Sequence, residues 1–118
     1  MITRLFILAA VALAGCAAQP TAPDGSRTGP HLVYRDSTGN VLRQFDYPDA
    51  LHCRKVEAIS ATARCQATPV AGLGARATLR YEPPGMLVRG QYATMDRCRA
   101  DTVTMAAGVR LVEPCAPQ

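Results

Sequence analysis

Residues 32–65, LVYRDSTGNVLRQFDYPDALHCRKVEAISATARC, and residues 79–115, LRYEPPGMLVRGQYATMDRCRADTVTMAAGVRLVEPC, read as two versions of one plan. With small gaps, Tyr34 matches Tyr81 and Gly39 matches Gly85. Val41 and Arg43 match Leu87 and Arg89, and Cys53-Arg54 match Cys98-Arg99. Chance similarity in a chain rich in Ala and Arg is the competing account of these matches. In each version two short β-prone runs flank a turn. Leu32–Arg35 and Val41–Phe45 enclose Asp36-Ser37-Thr38-Gly39-Asn40, which suits a type I turn with a bulge. Ala77–Glu82 and Met86–Tyr92 enclose Pro83-Pro84-Gly85, where proline pre-sets φ and glycine supplies the reversal.

A helix is expected after each hairpin. Thr94 can cap a first turn, Asp96 complements the positive end of the dipole, and Gly108 suits a C-terminal stop, so the second helix is read as Met95 to Ala107. The first starts near Pro48-Asp49 and runs to about Ser60 without a glycine stop. A short run ending in cysteine closes each half, Ala63 to Cys65 and Val109 to Cys115. The reading is an α+β fold, a small disulfide-stapled domain of two hairpin–helix–strand halves, a ββαβ-like pseudo-repeat covering residues 31–118.

Four cysteines of the domain, Cys53, Cys65, Cys98 and Cys115, allow three pairings. Path lengths favour pairs within each half. From Cys98 the helix travels about 13 Å outward at 1.5 Å per residue, and the strand ending at Cys115 can return about 20 Å less the turn. From Cys53 the corresponding paths are about 10 Å out and 13–16 Å back. Loops of this size stabilise by roughly 3 kcal/mol each in the chain-entropy model, which a small domain without Trp needs. Zinc sites usually show a close cysteine pair, whereas here 11, 32 and 16 residues intervene. No C-x-x-C redox motif is present. No metal or cofactor is expected.

No constellation looks catalytic. The histidines are His31 and His52, and Asp49 and His52 can share a helix face. A nucleophile built on Cys53 would need a free thiol. Ser26, Ser37 and Ser60 lack the context of a hydrolase elbow. Asp46, Asp49, Glu57, Asp96 and Asp101 read as helix-end and surface carboxylates. Gly72-Leu73-Gly74 reads as a link between the halves, with no G-K-[ST] to make it a phosphate loop.

Upstream of the domain, Ala17 to Pro30 reads AAQPTAPDGSRTGP, a flexible tether without apolar periodicity. Its expected reach is roughly 20 Å, and about 46–50 Å fully extended. Before it stands MITRLFILAAVALAGC: Arg4, ten uninterrupted apolar residues from Leu5 to Ala14, then Gly15 and Cys16. A spanning helix needs about 20 apolar residues, so ten fit the central region of a signal peptide.

Leu13-Ala14-Gly15-Cys16 resembles the lipobox of bacterial lipoproteins. The resemblance implies a signal peptide over residues 1–15, recognised by signal peptidase II through Leu13, Ala14 and Gly15. It implies diacylglyceryl transfer to Cys16 and acylation, typically palmitate, of the new amine. Ala17 resembles the outer-membrane address of Gram-negative lipoproteins. The competing reading is an ordinary secreted protein cleaved after Ala14 or Ala18. Cysteine parity argues against it: the chain has five cysteines, and using Cys16 for lipid leaves four that can pair fully in an oxidising compartment.

Twelve of the 13 basic residues are Arg, and the formal charge of +4 drops by one when Arg4 is removed. Mild positive charge can attract anionic lipid or polysaccharide, but a solvated arginine-rich surface explains it as well. No basic cluster is interleaved with aromatics, so nucleic acid is not an expected partner. The expected protein is therefore a non-enzymatic lipoprotein, anchored in the outer membrane through Cys16 and facing the periplasm. It would act as a binding or accessory module on an envelope protein or cell-wall polymer. The alternative is a small inhibitor or protective factor against an exported enzyme, presenting Pro83-Pro84-Gly85.

Overall fold

The structure, a computed structural model, describes residues 29–118. The expected signal peptide, Leu13, Ala14, Gly15, the lipidated Cys16 and the tether up to residue 28 lie outside the described residues.

Short β-prone runs make strands β1 (His31–Arg35) and β2 (Val41–Asp46), paired antiparallel with Leu32 opposite Phe45. Asp36 organises the turn between them. Its carboxylate accepts from the Thr38 hydroxyl at 2.6 Å, the Thr38 amide at 2.9 Å and the Asn40 amide at 3.0 Å. Helix α1 (Ala50–Glu57) starts at Asp49, whose carboxylate accepts the His52 N–H at 2.9 Å. It ends without glycine, because Ala58, Ile59 and Ser60 continue through tightening turns onto Arg54, Val56 and Glu57 carbonyls. Strand β3 (Ala63–Gln66) then returns beside β1, with Cys65 opposite Leu32.

The second half repeats the order of elements. Strands β4 (Ala75–Tyr81) and β5 (Met86–Tyr92) form a hairpin, α2 (Met95–Val103) follows, and β6 (Val109–Pro117) returns beside β4. Thr94 caps α2 by accepting the Arg97 N–H at 3.0 Å. The expected helix to Ala107 is too long: α2 stops at Val103, and Thr104 is already extended at φ −129°. Thr102-Val103-Thr104 is a β-branched run, costly to propagate as helix. Gly108 is not the helix stop either. At φ +83° it turns the chain into β6, and its carbonyl accepts the Glu82 N–H.

The two halves join through β2 and β5, giving one six-stranded antiparallel sheet in the order β3-β1-β2-β5-β4-β6. One row across it runs Cys65, Leu32, Phe45, Gly90, Ala77. Directly paired residues share a face, so both helices lie on that face. Cys53 of α1 packs on Leu32 and Tyr47, and Cys98 of α2 packs on Ala75, Ala77 and Tyr92. Each helix is stapled to its returning strand, Cys53 to Cys65 and Cys98 to Cys115. These are the pairs that the path lengths favour. The link at 67–74 crosses the opposite face, where the Val70 N–H donates to the fully buried Gln44 at 2.7 Å. The folded part also reaches back past His31, since the Pro30 carbonyl accepts the Tyr47 N–H.

Candidate functional site

The helix-bearing face has a cleft of about 380 Å³ over the β2–β5 seam, walled by the end of α2 and the loop that follows it. Its chemistry comes from Arg43, Phe45, Tyr81, Tyr92, Asp101 and Met105. All four tyrosines of the chain and Phe45 occupy this face. Tyr34 meets Phe45 edge-on at 5.6 Å, and Phe45 meets Tyr92 at 6.2 Å. Tyr47 and Tyr81 pack at 6.0 Å with their hydroxyls 3.3 Å apart. The strand period places them so: residues two apart along β2, β4 and β5 point the same way.

Arg43 is the polar centre of the wall. Its guanidinium lies 4.2 Å over the Tyr34 ring, a cation–π contact, and donates to Asp101 at 3.2 Å. Arg97 stands a turn away on α2, 3.7 Å from the same carboxylate. The Arg43–Asp101 pair is half-buried, at 26 % and 19 % exposure. Tyr92 lies deeper, 1 % exposed. Burial, aided by the Asp101 charge, pushes its hydroxyl up to about 12, so it stays protonated and able to donate. Among the described residues no hydrogen-bond partner meets this hydroxyl. Gly90 makes room for the ring: a Cβ there would stand 2.7 Å from the Tyr92 hydroxyl.

Apart from Asp101, the cysteines, histidines, serines and carboxylates singled out in the sequence lie outside the cleft. Cys53, Cys65, Cys98 and Cys115 are all bonded, so Cys53 carries no free thiol in this structure. Asp49 and His52 do meet, Oδ1 to Nδ1 at 2.8 Å, at the exposed start of α1. Asp46 is not a helix-end residue: it accepts from Gln44 and Gln91 at 2.6 Å and pairs with His31 at 2.7 Å on the opposite face. Glu57 accepts the Cys65 N–H, and Asp101 belongs to the cleft. That opposite face also carries Arg76, Arg80, Arg89 and Arg110, with Arg80 directly across from Arg110. No cluster of three His, Cys, Asp or Glu suited to a metal occurs among the described residues. Likewise no described helix is long and apolar enough to cross a membrane.

The pairing of Arg43 with Asp101 escapes sequence reasoning because 58 residues separate them. The available signal was the gathering of every tyrosine on one face. No protein-family model, curated protein or solved structure matches this chain.

Proposed function

We propose that the chain is a lipid-anchored binding module of the bacterial envelope, not an enzyme. It is held through Cys16 in the outer membrane and faces the periplasm. Cysteine accounting carries the reading. Two disulfides use four of the five cysteines, and the remaining one stands in the lipobox context of Leu13, Ala14 and Gly15. Such bonds belong to an oxidising compartment. The cleft fits a binding role, since it joins ring surfaces to a neutralised ion pair and offers no activated nucleophile. Its partner on this reading is an envelope protein or a cell-wall polymer.

Palmitate labelling tests the anchor: label enters the wild type and is absent from Cys16→Ser. Label retained in the variant rejects lipidation there. Export of the domain behind a non-lipid signal peptide tests the role. A module that gains effective concentration from its anchor fails to restore a deletion strain, whereas full rescue favours a diffusible protein. The inhibitor alternative draws on Pro83 and Pro84, exposed at the tip of the β4–β5 hairpin; co-purification of an exported enzyme, lost when that tip is replaced, would favour it.

The pseudo-repeat belongs to the same proposal. The sheet order mirrors about the β2–β5 seam, and each disulfide cysteine sits fourth in its helix. A uniform offset matches Cys53 with Cys98, Asp49 with Thr94 and Tyr47 with Tyr92. It moves the Val41–Leu87 and Arg43–Arg89 matches by one residue, which is a change of face, and Tyr34–Tyr81 by two, which is not. Arg43 meets Asp101 on the helix face, whereas Arg89 stands opposite Asp46 in the strand register on the other, so Arg43 and Arg89 are not counterparts.

A further inference from the structure

We propose that the cleft beside Arg43 and Asp101 binds one uncharged pyranose ring of an envelope glycan. This inference rests on the binding-module reading and names the ligand class. About 380 Å³ stands near the lower end of ligand pockets, room for one ring and its substituents. Within the lining Arg43 is paired with Asp101, so a charged ligand of either sign also meets a like charge there.

The polar groups ask for hydroxyls. Asp101 keeps acceptor capacity beyond its contacts to Arg43 and Arg97, and Arg43 keeps donors beyond its bond to Asp101. Tyr92, 1 % exposed as a residue, lines the cleft wall, and its hydroxyl meets no partner among the described residues. Buried hydroxyls almost always find partners, and a sugar hydroxyl supplies one. The partly buried Phe45 and Tyr81 rings supply apolar surface for the C–H face of a ring. An aliphatic or aromatic side chain from a protein would fill the same space while leaving Tyr92, Arg43 and Asp101 unanswered. Exposed Thr104 and Ala106 at the rim keep the cleft open, so a residue within a longer chain can enter.

The chain carries its own reporter. It has no Trp, and all four tyrosines lie on the face that holds the cleft. The full-length protein in phosphatidylcholine liposomes is titrated with three neutral trisaccharides: tri-N-acetylchitotriose, maltotriose and mannotriose. At least one should change tyrosine emission saturably. Its apparent affinity should weaken tenfold or more in Asp101→Asn and in Tyr92→Phe, which keeps the ring and removes the hydroxyl. Arg89→Ala, on the opposite face, should bind as the wild type does. No saturable change with any sugar, or equal loss in all three variants, overturns the proposal. A photo-crosslinker replacing Met105 in living cells should trap glycan. Trapping a protein instead rejects the sugar while leaving the binding-module reading to its own labelling and complementation tests.

Discussion

The two halves share an order of elements and differ in what fills them. At matching places in the sheet, Leu32 and Phe45 face each other in the first half, and Ala77 and Gly90 in the second. The first half therefore packs large side chains between sheet and helix, with Leu32, Cys53, Ala63 and Cys65 wholly buried. The second uses small residues and lays the Tyr92 ring over Gly90. Its helix ends early, and Met105 and Val109 border a cleft instead of a filled core. The first half fills the space beneath its helix, and the second leaves a cleft that opens at the β2–β5 seam, which is where the binding site is proposed.

The largest expected effect is loss of a disulfide. Loops of 12 and 17 residues give similar entropic terms, roughly 3 kcal/mol each. For a domain this size that is on the order of 10–20 °C in melting temperature. Burial breaks the tie: Cys53 and Cys65 are both fully buried, whereas Cys115 is partly exposed. Replacing Cys53 and Cys65 by Ala should thus cost more than replacing Cys98 and Cys115. A reductant titration followed by alkylation and mass spectrometry should open Cys98–Cys115 first. The reverse order on either measurement would break the contrast between the halves.

Core substitutions come next. Leu32→Ala should cost about 2–5 kcal/mol by opening a cavity under Cys53. Gly90→Ala should cost about 1–3 kcal/mol, because its Cβ forces the Tyr92 ring aside. The two should differ in kind. Leu32→Ala lowers the melting temperature and leaves binding in the cleft native, whereas Gly90→Ala also weakens that binding by pushing Tyr92 toward the cleft. Thr94→Ala should cost about 1 kcal/mol through its lost cap, seen as a small drop in urea midpoint at unchanged slope. A loss above about 2 kcal/mol would mean that Thr94 does more than cap α2.

Local features were readable in the sequence because their causes are local. Asp49 and Thr94 cap helices by reaching an amide three residues on, and the turns at Asp36 and Gly85 close within five residues. The cysteine pairs follow from the lengths of one helix and one strand. The end of α2 was misread because Gly108 looks like a helix stop, yet it serves β6 by accepting from Glu82 across the sheet. Nothing local states that β2 pairs with β5, and that seam brings Arg43 within reach of Asp101. The cleft was therefore invisible until the halves were joined.

The smallest expected effect sharpens the comparison by chemistry instead of size. The first half uses ionised carboxylates at its hairpin turn and helix cap, Asp36 and Asp49. The second uses Pro83-Pro84-Gly85 and the Thr94 hydroxyl, which do not titrate. A bond from the Thr38 hydroxyl holds the Asp36 carboxyl below its usual range, and the His52 N–H does the same for Asp49. A carboxyl whose folded value is depressed contributes stability that is complete above the unfolded value of about 3.9 and is lost as pH falls through the lower, folded value. Acid should therefore loosen the first half before the second. Hydrogen exchange at the His52 amide, corrected for intrinsic rate, should speed up between pH 4 and 2.5, in order-of-magnitude terms around that carboxyl range. The Arg97 amide, capped by Thr94, should keep its protection over the same interval. Replacing Asp36 and Asp49 together by Asn, which caps without titrating, should remove the difference and leave only the acid response of the other carboxylates. Simultaneous loss at both amides in the wild type would show that the halves unfold as one unit whatever their caps are made of.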